Sequence, residues 1–108
     1  MEHVLFVQRV KPEKRSEYIK EHQNAPRELL QMLRHSGIER EIIWMHKNNV
    51  FIYVMGENIQ AAVDRQKKTE EFQNWLAKME PLLDEMQDYS DDGKILGLEK
   101  VFDLEEQL

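Results

Sequence analysis

Cysteine is absent from this 108-residue chain, which removes disulfides and thiol nucleophiles and fits a reducing compartment such as the cytoplasm. Glycine is scarce: the four, at 37, 56, 93 and 97, neither cluster nor sit between a strand and a helix start, so no phosphate-cradling loop is present and nucleotide binding is disfavoured. No stretch approaches the ~20 apolar residues of a membrane helix. The opening MEHVLFVQRVK lacks the basic segment and uninterrupted apolar run of an export signal. Positive charge is in deficit, with 15 Lys and Arg against 21 Asp and Glu for a net charge of -6, a field that repels phosphate backbones and anionic membrane surfaces. Nucleic acid and membrane are therefore not expected partners. The histidines at 3, 22, 35 and 46 never pair at helical ligand spacing, so no zinc site is expected, and no serine sits in a nucleophile elbow. These absences leave proton-transfer chemistry or plain binding.

What is present suffices to fold. Hydrophobic residues make up 41% and charged residues 33%, enough apolar surface to offset chain ordering, and the length suits one domain over residues 1–108. The β-branched, apolar run at 3–10 reads as a strand that stops at Lys11-Pro12. Pro12 and Glu13 then suit the first turn of a helix running toward His35 and stopped by Gly37. Pro26 lies inside that pattern and is expected to break it near Asn24-Ala25. Residues 38–46 and 50–57 flank Lys47-Asn48-Asn49, where an asparagine tolerates positive φ, and read as a β-hairpin. From Ile59 to Met86 a helical pattern returns with Phe72, Trp75, Leu76, Met79, Leu82, Leu83 and Met86 at three-to-four spacing, bent in its later turns by Pro81. Residues 87–94 read as a loop and ILGLEKVFDL, 95–104, as the last strand.

The order β-α-β-β-α-β is the split βαβ arrangement of α+β, ferredoxin-like folds, a four-stranded antiparallel sheet with its helices on one face. Strands one and three and the last strand are apolar at most positions on both faces, so the uncovered face would be a large exposed patch. A second copy pairing sheet to sheet, as a dimeric α/β barrel, would cover it, and a small ligand in a cavity could use part of the same surface.

Tyr18 and His22 stand at i and i+4, side by side on the first helix. A phenol beside an imidazole, whose pKa near ~6.5 lets it give and take protons at neutral pH, suits general acid-base work. Spacing alone leaves the plainer reading open, in which His22 is a half-exposed helix residue and Tyr18 a core aromatic. Trp75 alone reads as core in the Phe72, Leu76, Met79 stripe. The segment Asp64-Arg65-Gln66-Lys67-Lys68 reads as a solvated helix face.

The N-terminal strand followed by EYIKEH, the LRHSGI segment before the hairpin, TEEFQNWLAKM and the terminal LEKVFDL together resemble the L-rhamnose mutarotase family across nearly the whole chain. The resemblance implies a small homodimer with a ferredoxin-like sheet that interconverts the α and β anomers of a monosaccharide pyranose without metal or organic cofactor. It implies that His22 is the catalytic proton donor, that Tyr18 contacts the sugar, and that Trp75 is the first of two adjacent tryptophans lining the sugar pocket. Two positions depart from the family pattern. Leu76 stands for the second tryptophan, and Glu41 for a sugar-contacting tyrosine. A leucine keeps the wall apolar but offers no flat ring for stacking, and a carboxylate accepts hydroxyl hydrogen bonds that a phenol shares differently. In a regular strand Trp44 points to the face opposite Glu41 and so does not replace the missing ring. A mutarotase for a different sugar and a noncatalytic ligand-binding dimer of the same fold are the alternatives, since architecture does not fix chemistry.

Overall fold

Alternation of apolar residues along β1 (Glu2–Val10) and β3 (Asn49–Gly56) organises the molecule. In the computed structural model, which describes residues 1–85 and 97–108, Val50, Ile52, Val54 and Gly56 are all buried while the residues between them are half-buried, as a pleat with one covered face requires. β3 pairs antiparallel with β1 (Phe6 opposite Ile52) and with β2, Ile38–His46 (Ile43 opposite Ile52). The sheet order is β2-β3-β1-β4, every neighbour antiparallel. The fold is therefore the α+β, ferredoxin-like one expected.

Pro12 opens a 3-10 turn (Pro12–Lys14) that leads into α1, Arg15–Gln23. The helix ends at Asn24, and α2, Arg27–Ser36, starts after Pro26, whose ψ of 138° is extended. Proline thus divides the two helices where its ring forbids a continuous one. Gly37 ends α2 at φ 115°, the left-handed region that glycine enters without steric cost. In the hairpin turn the positive φ falls on Lys47 (55°), not on an asparagine as the composition suggests.

The second half departs further from expectation. The pattern over 59–86 is two helices, α3 (Ile59–Gln66) and α4 (Glu70–Met79). Thr69 separates them, because its hydroxyl accepts the Phe72 N–H at 3.2 Å and donates to the Gln66 carbonyl at 2.7 Å, capping a new helix. Pro81 ends the helical run instead of bending it: a 3-10 turn at Glu80–Leu82 leads directly into β4, Leu83–Glu85, which pairs with Arg9 and Val10. The fourth strand therefore lies earlier than 95–104. Of that segment, residues 97–103 form no regular element and Leu104–Gln107 is a short helix, α5. Leu98 N–H still donates to the Leu5 carbonyl at 2.7 Å, and Gly97 lies so close to Val4 and Leu5 that a side chain there would collide with β1. The loop expected at 87–94 falls outside the described residues.

The core forms where the covered sheet face meets the helices: Phe6, Val10, Val50, Ile52 and Val54 pack with Tyr18, Ile59, Ala62, Val63, Met79, Leu82 and Leu83. On the other face, Leu5, Val7, Ile42, Phe51, Tyr53 and Met55 are half-buried and Trp44 is 57% exposed. Asp64–Lys68 is only partly a solvated face. Gln66 is buried and donates to the Ser36 hydroxyl (3.1 Å), and Arg65 Nε donates to the Ser36 carbonyl (2.8 Å), joining α3 to the end of α2.

Candidate active site

The inward register of β2 follows from its partner. Glu41 lies opposite Val54, Ile43 opposite Ile52 and Met45 opposite Val50, so these three share the helix-facing side of the sheet, while Trp44, opposite Phe51, points away. On β1 the same side carries Phe6, Gln8 and Val10. A cleft between this face and helices α1, α2 and α4 encloses a cavity of about 110 Å³, lined among others by Gln8, Tyr18, His22, Glu41, Trp75 and Leu76. One water needs roughly 10–15 Å³ on this measure, so the space holds several waters or one small polar molecule.

α1 presents Tyr18 and His22 one turn apart, their ring centroids 4.1 Å from each other. Tyr18 is buried, and its hydroxyl donates to Gln8 Oε1 at 3.2 Å. Burial, and after it the negative charge of Glu41, pushes the phenol well above its ordinary titration range. Tyr18 is therefore a neutral hydrogen-bonding group at any physiological pH, and also a sign that the Glu41 carboxylate lies within electrostatic reach of α1.

His22 Nδ1 is 2.8 Å from the backbone carbonyl of Tyr18. A carbonyl only accepts, so Nδ1 carries the hydrogen and Nε2 is left as the ring nitrogen free to exchange a proton with a ligand. Trp75 on α4 meets the imidazole edge to face, with centroids 5.1 Å apart and planes at 80°. The ion pair between Lys78 and Glu21 (3.1 Å) ties α4 to α1 behind this contact. Burial lowers the His22 pKa from its ordinary value, and the Tyr18 carbonyl and the Glu21 charge only partly oppose it. At neutral pH the ring is mostly uncharged.

Glu41 is exposed to solvent although it also lines the cavity. Protein around it limits hydration and raises its pKa to about 7. No hydrogen bond or ion pair among the described residues occupies its carboxylate.

All five residues singled out from the sequence, Tyr18, His22, Glu41, Trp75 and Leu76, thus line one cavity. Trp75 is at once half-buried against the core and part of the cavity wall, which unites the two readings of its sequence position. Gln8 was not singled out. Its signal is a polar side chain between Phe6 and Val10 in an inward alternation, where packing alone calls for an apolar one. Among the described residues no group of three or more His, Asp or Glu side chains could hold a metal ion, and no helix is long and apolar enough to cross a membrane.

Comparison with solved structures places the same fold on proteins of different function. An L-rhamnose mutarotase from Formosa agariphila superposes with a TM-score of 0.71 at 19% identity, covering 96% of this chain and 99% of that one. Tetracenomycin F2 cyclase from Streptomyces glaucescens, a type-II polyketide cyclase, superposes with a TM-score of 0.57 at 15% identity, covering 95% and 99%. At such identities the likeness concerns the fold alone. No curated protein sequence matches the chain. Residues 3–104, however, match the family description of L-rhamnose mutarotase, and over that span the chain belongs to the L-rhamnose mutarotase family, sugar isomerases that work without a cofactor.

Proposed function

We propose that the cleft binds a monosaccharide pyranose, L-rhamnose or a closely similar deoxyhexose, and that His22 moves the proton that opens and recloses its ring. Mutarotation needs a proton on the ring oxygen as the C1–O5 bond breaks, and loss of the anomeric hydroxyl proton as the C=O forms. Rotation about C1–C2 and the reverse transfers then give the other anomer. The observation that carries the proposal is the pinned imidazole: Nδ1 is held by the Tyr18 carbonyl while the ring borders a cavity shared with Tyr18 and Trp75. Fixed placement of a near-neutral acid-base group contributes roughly 10²–10⁴-fold in rate. That is the scale required for a reaction already moderately fast in water.

In this reading Tyr18, held by Gln8, keeps its oxygen lone pairs for a sugar hydroxyl, Trp75 packs against the apolar face of the sugar, and Leu76 extends that wall without stacking. Glu41 faces the same space and accepts hydroxyl hydrogen bonds. The outward apolar side chains of β1, β2 and β3 favour a homodimer paired through this sheet face, and the lack of cysteine fits a cytoplasmic enzyme of carbohydrate metabolism.

Two-dimensional exchange NMR of L-rhamnose and L-fucose with catalytic amounts of protein tests substrate and activity together. Wild type is expected to produce anomer cross-peaks beyond the spontaneous rate, and His22→Ala to lose them while keeping its fold and assembly. Undiminished exchange in the variant removes His22 from the mechanism, and sugar binding by the wild type without exchange replaces the enzyme with a binding protein.

A further inference from the structure

Opening a pyranose moves two protons, one onto the ring oxygen and one off the anomeric hydroxyl, yet His22 supplies a single exchangeable nitrogen. The cavity must hold a second acceptor, or water must serve. Three of its lining residues titrate: Tyr18 and His22 on α1, and Glu41 on β2. Tyr18 is excluded, because its hydroxyl is committed to Gln8 and its phenol is held protonated. The other elements around the cavity bring Gln8 from β1, Gln66 from α3 and the uncharged Trp75, Leu76 and Met79 region, and among the described residues no lysine or arginine lines the space.

From this geometry, and resting on the mutarotase reading above, we infer that Glu41 is the second proton-transfer group of the site and takes the anomeric hydroxyl proton while His22 gives one to the ring oxygen. The two roles are set by strand register and helix phase: β2 turns Glu41 inward opposite Val54, and α1 places the imidazole on another wall of the same cavity. On reclosure Glu41 returns its proton to the carbonyl oxygen at C1 as His22 recovers one from O5, so both groups end as they began and no outside donor is needed. The pair works when it holds one proton between its members and that proton sits on His22 Nε2 with Glu41 ionised, the less populated of the two arrangements, since burial favours the uncharged imidazole. A carboxylate with no ion pair among the described residues is suited to such sharing, and its titration near about 7 keeps both of its forms populated at neutral pH.

The test is the pH profile of anomer exchange, from about pH 5 to about pH 9, for wild type and Glu41→Gln with L-rhamnose or whichever deoxyhexose the wild type exchanges. Wild type is expected to give a bell, falling on the acid side as His22 also protonates and on the alkaline side as the pair loses its last proton near about 7. In Glu41→Gln kcat is expected to fall on the order of 10²-fold with KM changed little, and the alkaline limb near about 7 to disappear. Should the amide fail to fold, Glu41→Asp decides, since a retained alkaline limb at reduced kcat supports proton transfer and a lost limb overturns it. Wild-type kcat and an unchanged profile in Glu41→Gln overturn the inference while leaving the mutarotase reading intact, provided His22→Ala abolishes exchange. A wild type that exchanges no sugar brings down that reading itself, and this inference with it.

Discussion

The two faces of the sheet use similar strands for opposite purposes. Among the described strand residues, the face toward the helices carries Glu2, whose carboxylate accepts from the Ile59 N–H at the start of α3, and Gln8 and Glu41, which line the cavity. The far face carries Leu5, Val7, Ile42, Trp44, Phe51, Tyr53 and Met55, half-buried or exposed among the described residues. A polar group costs free energy on a covered face, and an apolar group gains little on an open one. Each departure from simple patterning therefore marks a task. Inside, polar residues point to a ligand. Outside, apolar residues point to another protein surface.

Two substitutions, one on each face, put this contrast to the test. Ile52 is 7% exposed within the core, and Ile52→Ala is expected to cost about 2–5 kcal/mol in chemical denaturation, toward the lower end because part of its surface already borders the cavity. Trp44→Glu on the far face is expected to change the stability of the single chain little. It should instead weaken self-association at least ~10-fold in sedimentation equilibrium, through a desolvated charge at the paired faces. If Trp44→Glu unfolds the chain, or leaves a dimer untouched, the far face is not the assembly surface.

How far these tasks could be read from the sequence differs along the chain. The first half is legible because its punctuation is strong: Pro12 opens a helix, Pro26 divides it and Gly37 stops it. The second half follows a quieter signal. Thr69 followed by two glutamates starts α4 by capping the Phe72 N–H, but the three-to-four spacing of apolar residues runs unbroken across it, so one helix was the natural expectation. Leu82 and Leu83 fit that spacing as well, yet after Pro81 the chain is extended and they join the core from a 3-10 turn and β4. Short strands such as β4 carry too few residues to display alternation. At the site, Tyr18 and His22 were visible from spacing and Trp75 from resemblance. The pinning of Nδ1 and the part played by Gln8 depend on contacts between elements, which sequence spacing does not record. The cap itself can be measured: Thr69→Ala is expected to cost about 1 kcal/mol, read as a lowered denaturation midpoint. Because α4 carries Trp75, the imidazole resonances of His22 should shift with it.

A weaker effect probes the covered face through the carboxylate that lines its cavity. Burial raises the Glu41 pKa from an ordinary 4.5 to about 7, so between those values the folded chain holds a proton that the unfolded chain has released. Folding then binds protons, and this group's contribution to stability, full below about 4.5, is lost as pH rises through about 7. His22 acts with the opposite sign: its pKa is lowered in the folded state, so its contribution is present above the ordinary 6.5 and is lost on acidification. Replacing Glu41 by Gln removes the first slope and leaves the second. Wild type and Glu41→Gln compared by urea denaturation at several pH values should therefore converge in acid and diverge toward neutrality, with the variant gaining on the wild type up to about pH 7 and holding a constant difference beyond it. Parallel curves would mean that Glu41 is as well hydrated as any surface carboxylate. The polar mark on the inner face would then be a wet rim and not a site.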